Sequence, residues 1–124
     1  MVEPAAAAEP GLERLRALME NYVSYLEREV LPGGCFVSAA AAEFDGRPGP
    51  VRDAIAASSL DWGAELERHA ELARDRRELP ATVDPKQLVF ELSAYTTRAN
   101  AAYQLDGDRR AFDHARAAIE RSLG

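Results

Sequence analysis

Apolar residues recur along this chain at steps of three and four, in five stretches set apart by Pro and Gly clusters at 4–11, 32–34, 46–50 and 80–85 and by Gly107. From about 11 to 31, Leu12, Leu15, Met19, Tyr22, Leu26 and Val30 share one stripe. Glu13, Arg16, Glu20, Glu27 and Arg28 fall mostly elsewhere, the pattern of an amphipathic helix. A short second helix is predicted over about 35–45, alanine-rich from Ser38 to Ala42, with Gly46 placed to end it in the left-handed conformation. The third begins with Pro50 at the first helical position and runs toward Leu79, keeping Val51, Ile55, Ser59, Trp62, Leu66, Ala70 and Ala73 in register. Gly63 inside it predicts a bend or a close approach to the backbone, because glycine costs up to about 1 kcal/mol in a continuous helix.

The fourth helix carries the clearest start, with Asp84 as N-cap, Pro85 in the first turn and Gln87 three residues after the cap. Leu88, Leu92, Tyr95, Ala99 and Tyr103 form one apolar face, and Phe90, Ala94, Ala101 and Leu105 lie broadly opposite. A helix apolar on two sides requires partners on two sides. Gly107 closes it and Asp108 caps a fifth helix with the stripe Phe112, Ala115, Ile119 and Leu123, so the last two helices are expected to form an antiparallel hairpin. Residues 1–10 read as a disordered leader and 11–124 as one domain.

Composition reinforces the all-α assignment: of 124 residues, 24 are Ala, two Ile and three Thr. The net charge of -6 argues against direct docking on nucleic acid, which needs a basic face. No stretch reads as a membrane span or secretory signal, and a single cysteine excludes an internal disulfide, so a reducing, cytoplasmic setting is expected.

Candidate chemistry is sparse. Cys35, after Gly33-Gly34 at a helix start, is either a redox-sensing thiol or a small buried apolar residue, and the lack of a neighbouring Cys, His or base favours the second. His69 and His114 lack ligand spacing and are expected at the surface, so no metal or cofactor is implied. The carboxylates Glu65, Glu67, Glu71 and Asp75 alternate with Arg68, Arg74, Arg76 and Arg77 as a solvated face, with Glu71 and Arg74 a supporting pair. Nothing nominates an enzyme. Ser93, Thr97, Asn100 and Gln104 place uncharged polar groups on one edge of the fourth helix, facing a ligand cavity, a subunit interface or water. Tyr22, Tyr25, Phe36, Trp62 and Tyr95 come from four helices and suit either one small-molecule pocket or plain core packing.

The run Pro32-Gly33-Gly34-Cys35-Phe36, then Glu43-Phe44-Asp45 and Arg47-Pro48-Gly49-Pro50-Val51-Arg52, resembles the C-terminal regulatory domain of tetracycline-repressor-like (TetR family) transcriptional regulators of bacteria. So does the Asp84-Pro85 start followed by Ala99-Asn100-Ala101-Ala102-Tyr103-Gln104-Leu105, and the likeness extends from Leu12 onward. The resemblance implies a five-helix bundle whose final hairpin pairs with its copy in a homodimer to make a four-helix bundle, beside a cavity for a small apolar ligand. On that basis Tyr22, Tyr25, Phe36, Trp62, Leu66, Tyr95 and Asn100 are expected to contact ligand, and Phe90, Ala101, Phe112, Ala115 and Ile119 the second subunit. The family's helix-turn-helix domain has no counterpart before Leu12, so DNA contact is expected only through a domain outside these residues. A free-standing helical interaction protein, needing no ligand, is the alternative.

Overall fold

A computed structural model describes residues 8–28 and 49–124. Among them are four helices, α1 (Leu12–Glu27), α2 (Pro50–Asp75), α3 (Pro85–Asp106) and α4 (Arg110–Leu123), and no strand. The all-α expectation holds; the short helix expected over 35–45 lies outside the described residues, as do Cys35 and Phe36. Each helix packs on the next in the cycle α1–α2–α3–α4–α1, most extensively between α3 and α4, and the α1–α3 diagonal is thinner.

The stripes predicted from helical periodicity meet inside that cycle. Leu15, Leu18, Met19, Val23 and Leu26 of α1 are buried against Leu66, Ala70 and Ala73 of α2 and Leu88, Val89, Leu92 and Ala99 of α3. Phe112, Ala115, Ile119 and Leu123 of α4 complete the core, with the Phe112 ring 5.3 Å from that of Tyr103. Each fully buried large side chain contributes about 1.5–3 kcal/mol relative to an exposed one.

Capping chemistry sets the helix ends. The Asp84 carboxylate accepts from the Lys86 amide at 3.0 Å, Pro85 occupies the first turn, and Gly107 (φ 66°) closes α3 with its N–H on the Tyr103 carbonyl at 2.8 Å. Asp108 likewise accepts from the Arg110 amide at 3.0 Å. The third predicted helix stops four residues short of Leu79. Arg77 takes the left-handed conformation (φ 63°), and the Arg77 and Glu78 amides donate back to the Arg74 and Ala73 carbonyls at 3.0 and 2.8 Å. This is a Schellman stop built on arginine, a position usually held by glycine. Gly63 neither interrupts α2 nor admits a close neighbour, since a Cβ there would meet nothing within 4 Å among the described residues.

Arginines stitch α1 to α4. Arg116 donates to Glu20 at 3.1 Å and to Glu27 at 3.0 Å, Arg16 pairs with Glu120 at 3.2 Å, and Arg109 reaches the Glu27 carbonyl at 3.1 Å. The Arg116 hydrogen bond leads in holding the Glu27 carboxyl below its usual range, and the same bond raises the Arg116 pKa. Residues 8–10, expected in the leader, are tied to the domain: Arg14 donates to the Ala8 carbonyl at 2.9 Å and Arg76 to that of Pro10 at 2.8 Å.

Candidate functional site

The first candidate lies where α1 meets α2. Half-buried Tyr22 and Trp62 bring their rings to 5.6 Å between centroids, tilted by 37°. One turn along α2, Leu66 is fully buried in the core. Tyr25 is half-buried against the same core, and Phe36 falls outside the described residues. Such an aromatic pair offers apolar area with polar handles on the tyrosine and indole.

Tyr95 is taken elsewhere. Its hydroxyl meets Ser122 Oγ at 3.1 Å, and its ring lines a groove of about 310 Å³ between α3 and α4. Six alanines, Ala94, Ala99, Ala102, Ala111, Ala115 and Ala118, form most of the groove wall, with Arg98, Asp108 and His114 beside them. Hydrogen bonds from the Arg110 side chain and amide hold the Asp108 carboxyl below its ordinary range, so it stays charged.

Asn100 is half-buried on α3, and its Oδ1 is a buried acceptor without a hydrogen-bond partner among the described residues. An unmet buried acceptor costs about 1–3 kcal/mol, which an incoming donor would recover. Its row divides: Ser93 is half-buried, while Thr97 and Gln104 face solvent. The buried hydroxyl belongs instead to Thr96, which satisfies itself on the Ser93 carbonyl at 3.0 Å.

The five residues expected at a subunit interface also divide. Phe90 is 70% exposed and Ala101 is half-buried on the outer face of α3, together with exposed Ala94 and Leu105. Phe112, Ala115 and Ile119 lie in the protomer's own core, because α4 has one apolar stripe and the cycle of helices needs it. Ala115 alone among these three also lines the groove.

His69 corrects the expectation of a surface histidine: it is fully buried, whereas His114 is exposed. Its Nδ1 accepts from the Gly11 amide at 3.2 Å, and Nε2 lies 3.0 Å from Glu65 Oε1 and 3.1 Å from the Arg68 guanidinium. Burial is the main cause that lowers its pKa below 6.5, with Arg68 and Arg14 acting in the same direction and the Glu65 hydrogen bond opposing. For Glu65, desolvation pulls upward but is outweighed by hydrogen bonds from Arg68 and His69, so its pKa is lowered. Sequence spacing carried no sign of this site, since Gly11 and His69 are 58 residues apart. On the same helix Arg74 approaches Asp75 at 3.8 Å and the Val83 carbonyl at 3.4 Å rather than Glu71.

Among the described residues no group of three or more His, Cys, Asp or Glu could hold a metal ion, and no helix is long and apolar enough to cross a membrane. No curated protein matches the chain. The family described as the tetracyclin repressor-like C-terminal domain does match, over residues 11–119, which takes in all of α1, α2 and α3 and most of α4. The described residues are all helical apart from turns and connections, and with that match the chain belongs to the tetracycline repressor-like C-terminal domain family, regulatory domains of transcription regulators.

Proposed function

We propose that this domain senses a small apolar molecule and pairs with a second copy of itself, acting by binding rather than catalysis. The observation that carries the reading is the apolar face of α3 outside the protomer, with Phe90 70% and Leu105 81% exposed beside the alanine-lined groove. Large apolar side chains grouped on one helix face mark an interaction surface, and small residues let a partner helix approach closely. An isologous pairing of two α3–α4 hairpins would cover both faces at once.

The Tyr22–Trp62 pair and the unmet Asn100 acceptor support the sensing half. They suit a largely apolar molecule with at least one hydrogen-bond donor. In this reading a helix-turn-helix outside these helices reads DNA, and the acidic domain supplies spacing and signal.

A thermal-shift screen of small apolar compounds at two protein concentrations tests both halves. A ligand at a hundred times its Kd adds about 2.7 kcal/mol, and a midpoint rising with protein concentration reports the dimer. Retention of a ligand-induced shift in Trp62→Ala would remove Trp62 from the sensing site, and concentration dependence that survives Leu105→Asp would remove α3 from the interface. Concentration dependence without any ligand shift would favour the dimerisation-only alternative.

A further inference from the structure

We infer that His69 is a proton-operated latch: neutral, it fastens the segment leading into α1 onto α2, and on protonation it lets that segment go. The geometry assigns both ring nitrogens. Because Nδ1 accepts the Gly11 N–H at 3.2 Å it carries no proton, so the neutral ring bears its hydrogen on Nε2 and donates it to Glu65 Oε1 at 3.0 Å, while the Arg68 guanidinium 3.1 Å from Nε2 is a close neighbour that makes its own hydrogen bond to Glu65. A second proton can go only to Nδ1. That turns the acceptor into a donor facing another donor, and the buried amide of Gly11 loses its partner.

The surroundings make this amide hard to satisfy otherwise. Gly11 sits at φ 105°, a backbone conformation that residues other than glycine rarely adopt. Glu78 Oε1 itself receives the next amide, Leu12 N–H, at 3.3 Å. The Arg14 and Leu15 amides hold the Glu9 and Gly11 carbonyls at 2.9 Å within the start of α1 itself, and the side-chain ties, Arg76 to the Pro10 carbonyl and Arg14 to that of Ala8, use flexible guanidinium groups. The bond to His69 is the buried one.

The charged groups around the ring are Glu65 and Arg68 from α2, Arg14 from α1, and Glu78, which lies beside Gly11 just after α2. Burial, Arg68 and Arg14 disfavour the imidazolium, and Glu65 alone favours it by hydrogen bond and charge. The latched form is therefore the neutral form. Its folded pKa lies below the 6.5 of a free imidazole, so the latch is engaged above pH 6.5 and weakens as pH falls from there toward the folded value. His69 and Trp62 lie seven residues apart on α2, about 10 Å along one helix, so the latch and the aromatic pair share one rigid element.

Amide hydrogen exchange resolved by NMR between pH 7.5 and about 5, corrected for intrinsic exchange, tests the latch. The expected result is that Gly11, exchanging through a local opening and so less protected than Leu92 and Ala115, loses protection by up to about tenfold per pH unit below 6.5. In His69→Gln, whose side-chain oxygen accepts the same amide without titrating, Gly11 protection is expected to be flat over this range. Should that variant not fold, imidazole ¹⁵N shifts of the unmodified protein supply the reading: Nδ1 bare at neutral pH and protonated in step with the loss at Gly11. PH-independent protection at Gly11, protection at Gly11 as high as that of Leu92 at every pH, or a proton already on Nδ1 at neutral pH would each overturn the inference.

Discussion

Phe90 and Phe112 stand on adjoining helices of one hairpin and have opposite fates: the first is 70% exposed, the second fully buried against Tyr103. Side-chain chemistry is identical, so the difference lies in the helices. α4 has one apolar stripe, and closing the cycle against α1 and α3 consumes it. α3 has two: Leu88, Leu92 and Ala99 serve the core, and Phe90, Ala94 and Leu105 remain outside. In a helical hairpin, then, the one-sided member builds the protomer, and the two-sided member is left to meet something else.

Substitutions can break that contrast. The largest effect is expected from Phe112→Ala, which should lower protomer stability by about 3–5 kcal/mol in urea denaturation, whereas Phe90→Ala should stay within about 0.5 kcal/mol when the protomer alone is measured. Ile119→Asp would likewise unfold the core rather than report on assembly, since Ile119 is buried. Leu105→Asp should spare the protomer and weaken self-association by about tenfold or more in sedimentation, equivalent to about 1.4 kcal/mol. A smaller loss, about 1 kcal/mol and diminishing with added salt, is expected for Arg116→Ala, which leaves Glu20 and Glu27 without their shared cation.

That variant also has a pH signature. The folded Glu27 carboxyl titrates below 4.5, so the unfolded chain binds more protons as pH drops through that value. The Arg116 contribution is present above pH 4.5 and is lost as pH falls through the folded pKa, and the acid slope of stability should be shallower in Arg116→Ala. Gly63→Ala, a control outside the hairpin, should gain up to about 1 kcal/mol, because the helix is continuous and the space is open among the described residues.

Helix identity and most core positions were legible from spacing alone, because a period near 3.6 reports which side chains share a face. The Asp84-Pro85 start was legible for a different reason: a cap is local chemistry between neighbours. The end of α2 was not, since the residue turning the chain is Arg77 rather than a glycine. At the candidate sites, periodicity placed Tyr22 and Trp62 on inward faces and the structure joined their rings, but it could not tell which helix Tyr95 would meet. Nor does it separate the two uses of an apolar stripe: Phe112 and Ile119, which the family resemblance places at a subunit interface, are buried in the core of their own protomer. His69 was least legible, because both its burial and its link to Gly11 arise from chain segments far apart in sequence.

The stitching of α1 to α4 has a consequence for biosynthesis. Arg116 and Glu20 are 96 residues apart, so the first helix finds its main polar partner only after nearly the whole domain has been made. Contacts of such sequence separation slow folding, because the intervening chain must be closed before they form. At a translation rate of about 5–20 residues per second, α1 waits several seconds beside the ribosome with Leu15, Leu18 and Val23 short of their final cover. A nascent chain halted at Gly107 lacks Phe112, Ile119 and Leu123 altogether, and with them the side chains that close the helix cycle against α1 and α3.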